Sequence, residues 1–165
     1  MRWIWIDRFL AFESGKSAQA VKNLSLAEDH FREHFPGYPV MPASLMLEGL
    51  AQTGGILVGE ANQFREKVVL GKIPYARFSR EAFAGDQLVY DVEMLQLRAE
   101  GASVKGRVTV DQTLIGEAEI FFAHLDRSRS QQLFGEHNFV FSGELKHLLG
   151  LAKVAAQRTT EAPAP

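Results

Sequence analysis

The chain has no cysteine among its 165 residues. That excludes a disulfide framework, a thiol nucleophile and any thiolate-held metal, and it fits a reducing compartment. The expected location is therefore the cytoplasm. No apolar run approaches the roughly 18–20 residues of a membrane span. The opening "MRWIWIDRFLAFE" is apolar, but Asp7 and Arg8 interrupt it and no small-residue cleavage site follows closely, so neither a membrane span nor a signal peptide is expected. An excess of charge of one sign is also missing. Lys and Arg total 18 against 20 Asp and Glu, a formal net charge of -2, so there is no broad basic field and no nucleic-acid partner is expected.

What is present suits one globular domain. The chain is 46% hydrophobic, with 12 phenylalanines, and it is long enough to bury a real core. The aromatic, β-branched stretch "RWIWIDRFLAF" predicts a first strand, and "SAQAVKNLSL" a second that returns antiparallel after the turn "ESGK". "AEDHFREHF" predicts one or two helical turns, which Pro36 stops. "FPGYPVMP" should be irregular, because Pro36, Pro39 and Pro42 fix φ and remove donors, while Gly37 allows a sharp bend.

From about Pro42 to Gln63 a helix is expected, with proline at its first position. Its apolar residues lie on every side, which marks a buried helix. Gly49, Gly54 and Gly55 each weaken it by about 1 kcal/mol relative to alanine, so close packing is their expected justification. Four strands should follow, over 68–78, 87–98, 103–111 and 113–124, with turns at "EAFAGDQLV" and "VDQT". Two strands, one buried helix and a four-stranded meander imply α+β architecture, an antiparallel sheet wrapped around a long central helix. "SGELKHLLGLAKVAAQ" predicts a short amphipathic helix, and "RTTEAPAP" a tail without fixed structure.

The densest chemistry lies in "HFPGYPVMPASLMLE", residues 34–48. Glu48 sits two turns into the apolar helix, where loss of water favours a protonated carboxyl group and hence a proton donor. Gln52, four residues on, shares its helical face and can orient that group. His34, on the segment stiffened by proline and glycine, can act as a general base near neutrality. The unpaired backbone N–H groups of Ala43 and Ser44 suit a carbonyl oxygen that gains negative charge. A base, an acid and an oxyanion-type site without nucleophile or metal ligands suit proton abstraction α to a carbonyl, with loss or gain of a group at the β carbon. Residue types and spacing also admit plain alternatives: a histidine before a helix serves as a cap, and a glutamate satisfied by Gln52 serves as a structural group.

The long stretch "HFPGYPVMPASLMLEGLAQ" resembles the hallmark of the FabZ-type (3R)-hydroxyacyl-[acyl-carrier-protein] dehydratases, including the fourteen-position gap from His34 to Glu48. Similarity extends over roughly residues 4–124, through "KIPYARFSREAFAGDQLVYDVEML" and "GRVTVDQTLIGEAEIFFA". The resemblance implies a hotdog fold, placed over residues 1–127; the amphipathic helix then falls in an extension over 128–157 without a family counterpart, followed by the tail over 158–165. It implies a homodimer in which His34 of one chain faces Glu48 of the other, with further association into a hexamer, a trimer of dimers. His34 would remove the α proton, Glu48 would protonate the departing hydroxyl, and the Ala43 N–H would polarise the thioester carbonyl. Gln52, Phe35, Gly37 and Pro42 would complete the substrate-binding set.

The implied substrate is acyl carrier protein bearing a 3-hydroxyacyl chain, in fatty acid or lipid A precursor synthesis, with no metal or organic cofactor. Glutamate at position 48, where FabA-type dehydratase/isomerases have aspartate, favours dehydration without isomerisation. Two departures stand out. Ala43 replaces the family's glycine, and the usual "PHRYP"-like opening is missing. A non-catalytic acyl-binding protein and a hotdog acyl thioesterase are the alternatives. Arg65, Lys67, Lys72, Arg77 and Arg80 cluster along the chain, and Arg77 and Arg80 are the candidates for docking the acidic carrier protein. A charged guard on a strand edge is the competing reading. Phe78 and Phe83, with Phe35, are candidates for lining an acyl tunnel, and the remaining histidines, His30, His124, His137 and His147, show no metal-ligand spacing.

Overall fold

The computed structural model describes residues 3–125 and 147–150. In chain order the elements are β1 (Arg8–Glu13), β2 (Ser17–Asn23), α1 (Asp29–Glu33), β3 (Val40–Met41), α2 (Ala43–Ala61), β4 (Lys67–Phe78), β5 (Ala82–Phe83), β6 (Gln87–Arg98), β7 (Gly101–Val110) and β8 (Thr113–Leu125). Six strands form one sheet in the order β1-β2-β6-β7-β8-β4, with every neighbouring pair antiparallel. Period-two patterning explains which face is covered. Leu88, Tyr90 and Val92 on β6, Val104 and Val108 on β7, and Ala118, Ile120 and Phe122 on β8 are all buried. They enclose α2, which packs against β2, β4, β6, β7 and β8. This is the α+β hotdog arrangement that the resemblance implies.

Every residue of α2 from Gly49 to Gly59 is buried, as expected of a helix apolar on all sides. Two of its glycines, Gly49 and Gly54, are explained by proximity. A methyl group on Gly49 would lie 2.3 Å from Cζ of Tyr90, and one on Gly54 would lie 3.1 Å from Val104 and 3.2 Å from Phe122. The described residues 147–150 are helical, and Leu149 is buried in the same core. The rest of the expected C-terminal helix and the tail lie outside the described residues.

Three local expectations need correction. The first strand begins at Arg8, not at residue 2. The backbone of Trp3 and Trp5 bonds instead to the side chain of Gln52, so it has no free edge for a ladder. Val40–Met41 and Ala82–Phe83, expected as irregular chain and turn, pair as a small two-stranded sheet. Pairs this short carry no periodicity to read. Pro42 caps α2 rather than opening it: its φ of -57° is helical but its ψ of 141° is extended, and its carbonyl accepts from Leu45 at 2.9 Å and Met46 at 3.3 Å.

Gly49→Ala should lower stability. Alanine gains about 1 kcal/mol of helix propensity, but overpacking typically costs about 1–3 kcal/mol, and the Tyr90 ring, 0% exposed, has nowhere to retreat. The expected result is a lower urea midpoint at unchanged m, partly restored in Gly49→Ala combined with Tyr90→Leu.

Candidate active site

His34 closes α1. Its N–H donates to the His30 carbonyl at 3.0 Å, and its own carbonyl accepts from Val40 at 2.8 Å, so backbone bonds on both sides fix the residue. The turn that follows is locked reciprocally: Phe35 N–H donates to the Tyr38 carbonyl at 2.9 Å and Tyr38 N–H to the Phe35 carbonyl at 2.8 Å. Gly37 within it takes φ +82°, a conformation that favours glycine. Beyond the turn the chain runs through β3 into Pro42 and α2. His34, Phe35, Pro42 and Ala43 thereby line one cleft of about 380 Å³ together with Phe78 and Arg80. Nδ1 of His34 is buried without a hydrogen-bond partner, which leaves Nε2 as the nitrogen able to meet a substrate. Ala43 and Ser44, both exposed residues, place their N–H groups in the first turn of α2, where no helical carbonyl can reach them.

Glu48 and Gln52 lie elsewhere. Glu48 is half-buried rather than fully enclosed, and its Oε1 accepts from Gln52 Nε2 at 2.9 Å and from the Trp3 indole N–H at 3.2 Å. The side-chain oxygen of Gln52 accepts from Trp5 N–H at 2.8 Å, and its amide nitrogen also donates to the Trp3 carbonyl at 3.1 Å. The i,i+4 pairing foreseen from the sequence is present, but its support from the N-terminal segment was not foreseen. A 45-residue separation between Trp3 and Glu48 leaves no pattern to detect. Within the protomer Glu48 does not line the cleft that holds His34.

The other candidates divide in the same way. Phe78 reaches the cleft, whereas Phe83 packs edge-on against Tyr38 at 5.7 Å. Arg80 lines the cleft but pairs with Asp86 at 3.3 Å, and Arg77 stands exposed on β4 opposite Glu117 of β8. Among the described residues no group of three or more His, Asp or Glu is placed to hold a metal ion. Nor is any helix among them long and apolar enough to cross a membrane.

His30, one turn before His34, is buried against Trp5 at 5.3 Å and Phe31 at 4.2 Å between ring centroids. Its Nε2 has no hydrogen-bond partner. Burial holds its pKa below the ordinary imidazole value, with Lys22 and His34 acting in the same sense and Glu28 and Asp29 opposing. The unfolded chain therefore takes up a proton on this ring below about pH 6.5, while the folded chain does so only at lower pH. This contribution to stability is complete above that value and is lost as the pH falls toward the depressed pKa. Between about pH 7.5 and about pH 5.5 the thermal midpoint of the wild type should fall further than that of His30→Phe.

The FabA-like domain family matches residues 3–119. The 3-hydroxyacyl-[acyl-carrier-protein] dehydratase FabZ of Pelotomaculum thermopropionicum is 41% identical over 122 residues, covering 73% of this chain and 87% of that protein. The protein of the same name from Listeria welshimeri is 40% identical over 125 residues, with coverage of 75% and 87%. Among solved structures, a conserved protein of Pseudomonas aeruginosa superposes with a TM-score of 0.60 at 17% identity, covering 72% of this chain and 87% of that one. A chain of a dehydratase heterocomplex from Xenorhabdus doucetiae does so with a TM-score of 0.55 at 18% identity, covering 70% and 96%. These two likenesses bear on the fold alone.

Proposed function

This chain belongs to the FabA-like family, and from that premise we propose that it is a 3-hydroxyacyl-[acyl-carrier-protein] dehydratase acting in fatty acid biosynthesis. The observation that carries the reading is the division of the site. A histidine, a free helix N-terminus and an open cleft occupy one side of α2, and an anchored carboxyl group occupies another. Neither half is sufficient alone. A second copy of the chain supplies the missing half, so a homodimer with two shared sites is the minimal working unit, and assembly into a hexamer would repeat that unit. The edge strand β4 supports such pairing, because it exposes Leu70, Ile73 and Tyr75 beside an unpaired backbone edge.

In this reading the thioester carbonyl points at the N–H groups of Ala43 and Ser44, which stabilise the charge that develops on oxygen. Nε2 of His34 takes the α proton, and that electron pair becomes the α–β double bond. The β C–O bond breaks, and the Glu48 carboxyl proton passes to the leaving hydroxyl group. The products are water and a trans-2-enoyl thioester. His34 is left protonated and Glu48 ionised, and proton exchange with solvent resets both.

His34→Ala and Glu48→Gln should each remove enoyl formation by about 10²–10⁴-fold, and the double variant should lose no more, because base and acid act as one unit. Mixing the two inactive single variants under subunit exchange should restore about a quarter of the wild-type sites, since each mixed dimer keeps one intact pair. Recovery of nothing would show that base and acid come from one chain. Release of free thiol without enoyl product would favour a thioesterase, and no turnover by the wild type on short or long chains would favour an acyl-binding protein.

The acidic carrier protein is proposed to dock over Arg77 and Arg80. Neutralising both should slow the reaction of the carrier-bound substrate several-fold more than that of a short free thioester, and the difference should shrink as salt is raised.

A further inference from the structure

On the reading that Glu48 is the proton donor, we propose that Trp3 is a positioning residue for it. Trp3 and Gln52 together reserve Oε1 of Glu48 as the acceptor oxygen and leave Oε2 to present the proton to the substrate.

The hydrogen-bond inventory leads to this arrangement. Trp5 N–H, at 2.8 Å, fixes which end of the Gln52 amide is oxygen. The Gln52 amide nitrogen then has two hydrogens and two acceptors, Oε1 of Glu48 at 2.9 Å and the Trp3 carbonyl at 3.1 Å. The indole N–H of Trp3, which can only donate, reaches the same Oε1 at 3.2 Å. Two donors converge on one oxygen, and a carboxyl proton placed there would point at another proton. The protonated carboxyl group therefore carries its hydrogen on Oε2.

Trp3 is 59% exposed, yet it is not held at random. Its ring meets Trp5 edge-on at 5.6 Å, and Trp5 is buried beside His30. Phenylalanine lacks both the indole N–H and the ring fused to it, and of these it is the N–H that reaches Glu48.

Trp3→Phe keeps the edge-on ring contact and deletes that donor. With the carrier-bound substrate the variant should lose about ten-fold in kcat at unchanged KM, the pattern of an interaction felt in the transition state. An unchanged kcat, or a rise in KM alone, overturns the inference. A second readout needs no change at Trp3. The chain has two tryptophans and so two indole N–H resonances. In Glu48→Ala the Trp3 indole signal should move upfield by more than the Trp5 signal, because its acceptor is gone. A Trp3 signal that stays in place overturns the contact itself. Glu48→Gln separates the two levels of failure. If it retains full turnover, the assignment of Glu48 as acid fails and the role of Trp3 falls with it. If it abolishes turnover while Trp3→Phe leaves kcat intact, only the role of Trp3 is lost.

Discussion

The burial of α2 is the constraint on which the rest of the molecule depends. From Gly49 to Gly59 the helix has no solvent face, and five strands of one sheet press against it. Such a helix has no room for a polar side chain without a partner. Thr53 answers this by donating to the Gly49 carbonyl at 2.8 Å, and Gln52 by spending its hydrogen bonds on Glu48 and the N-terminal segment. Chemistry is thereby confined to the first two turns, before the sheet closes. The glycine at position 49 lets Tyr90 approach at that boundary, so the packing that buries the helix begins one residue after the candidate acid.

The geometry of those two turns also separates the functional groups. Ala43 and Glu48 are five residues apart, which in an α-helix is about 140° around the axis and about 7.5 Å along it. An N–H that faces the His34 cleft and a carboxyl group held by Trp3 and Gln52 therefore project to different sides of one cylinder. No rotamer change in a glutamate reverses such an angle. A site that needs a base, an oxyanion donor and an acid around one small acyl group must take the acid from another helix. The exposed apolar edge at β4 provides a physical reason for that helix to arrive. On the proposed reading, oligomerisation and catalysis are one requirement.

Much of this was legible in the residues because it rests on local patterns. The strand expected over 87–98 matches β6 over Gln87–Arg98 in full, and all-round hydrophobicity identified α2 to within two residues at its C-terminal end. The i,i+4 spacing of Glu48 and Gln52 survives as a hydrogen bond. The failures have two causes. Trp3 and Trp5 look like strand residues by propensity, yet their backbone partners belong to a side chain 49 and 47 residues away, respectively. The β3–β5 pair is two residues long on each strand, below any detectable period. Long-range, side-chain-mediated bonds leave no periodic trace, and in this chain they are the ones that hold the carboxyl group.

The substitution at position 43 can be weighed on the same terms. What the oxyanion position needs is a backbone N–H at the helix start, and alanine supplies it as well as glycine does. Alanine also suits the helical φ better, because it has less backbone freedom to lose. The added methyl sits on an exposed residue at the rim of the cleft, not in the packed interior, so the fold does not resist it. On the proposed reading its consequence falls on the space beside the thioester. The exchange leaves the electrostatics of the first turn intact and narrows the cleft by one methyl group, a change in fit rather than in chemistry.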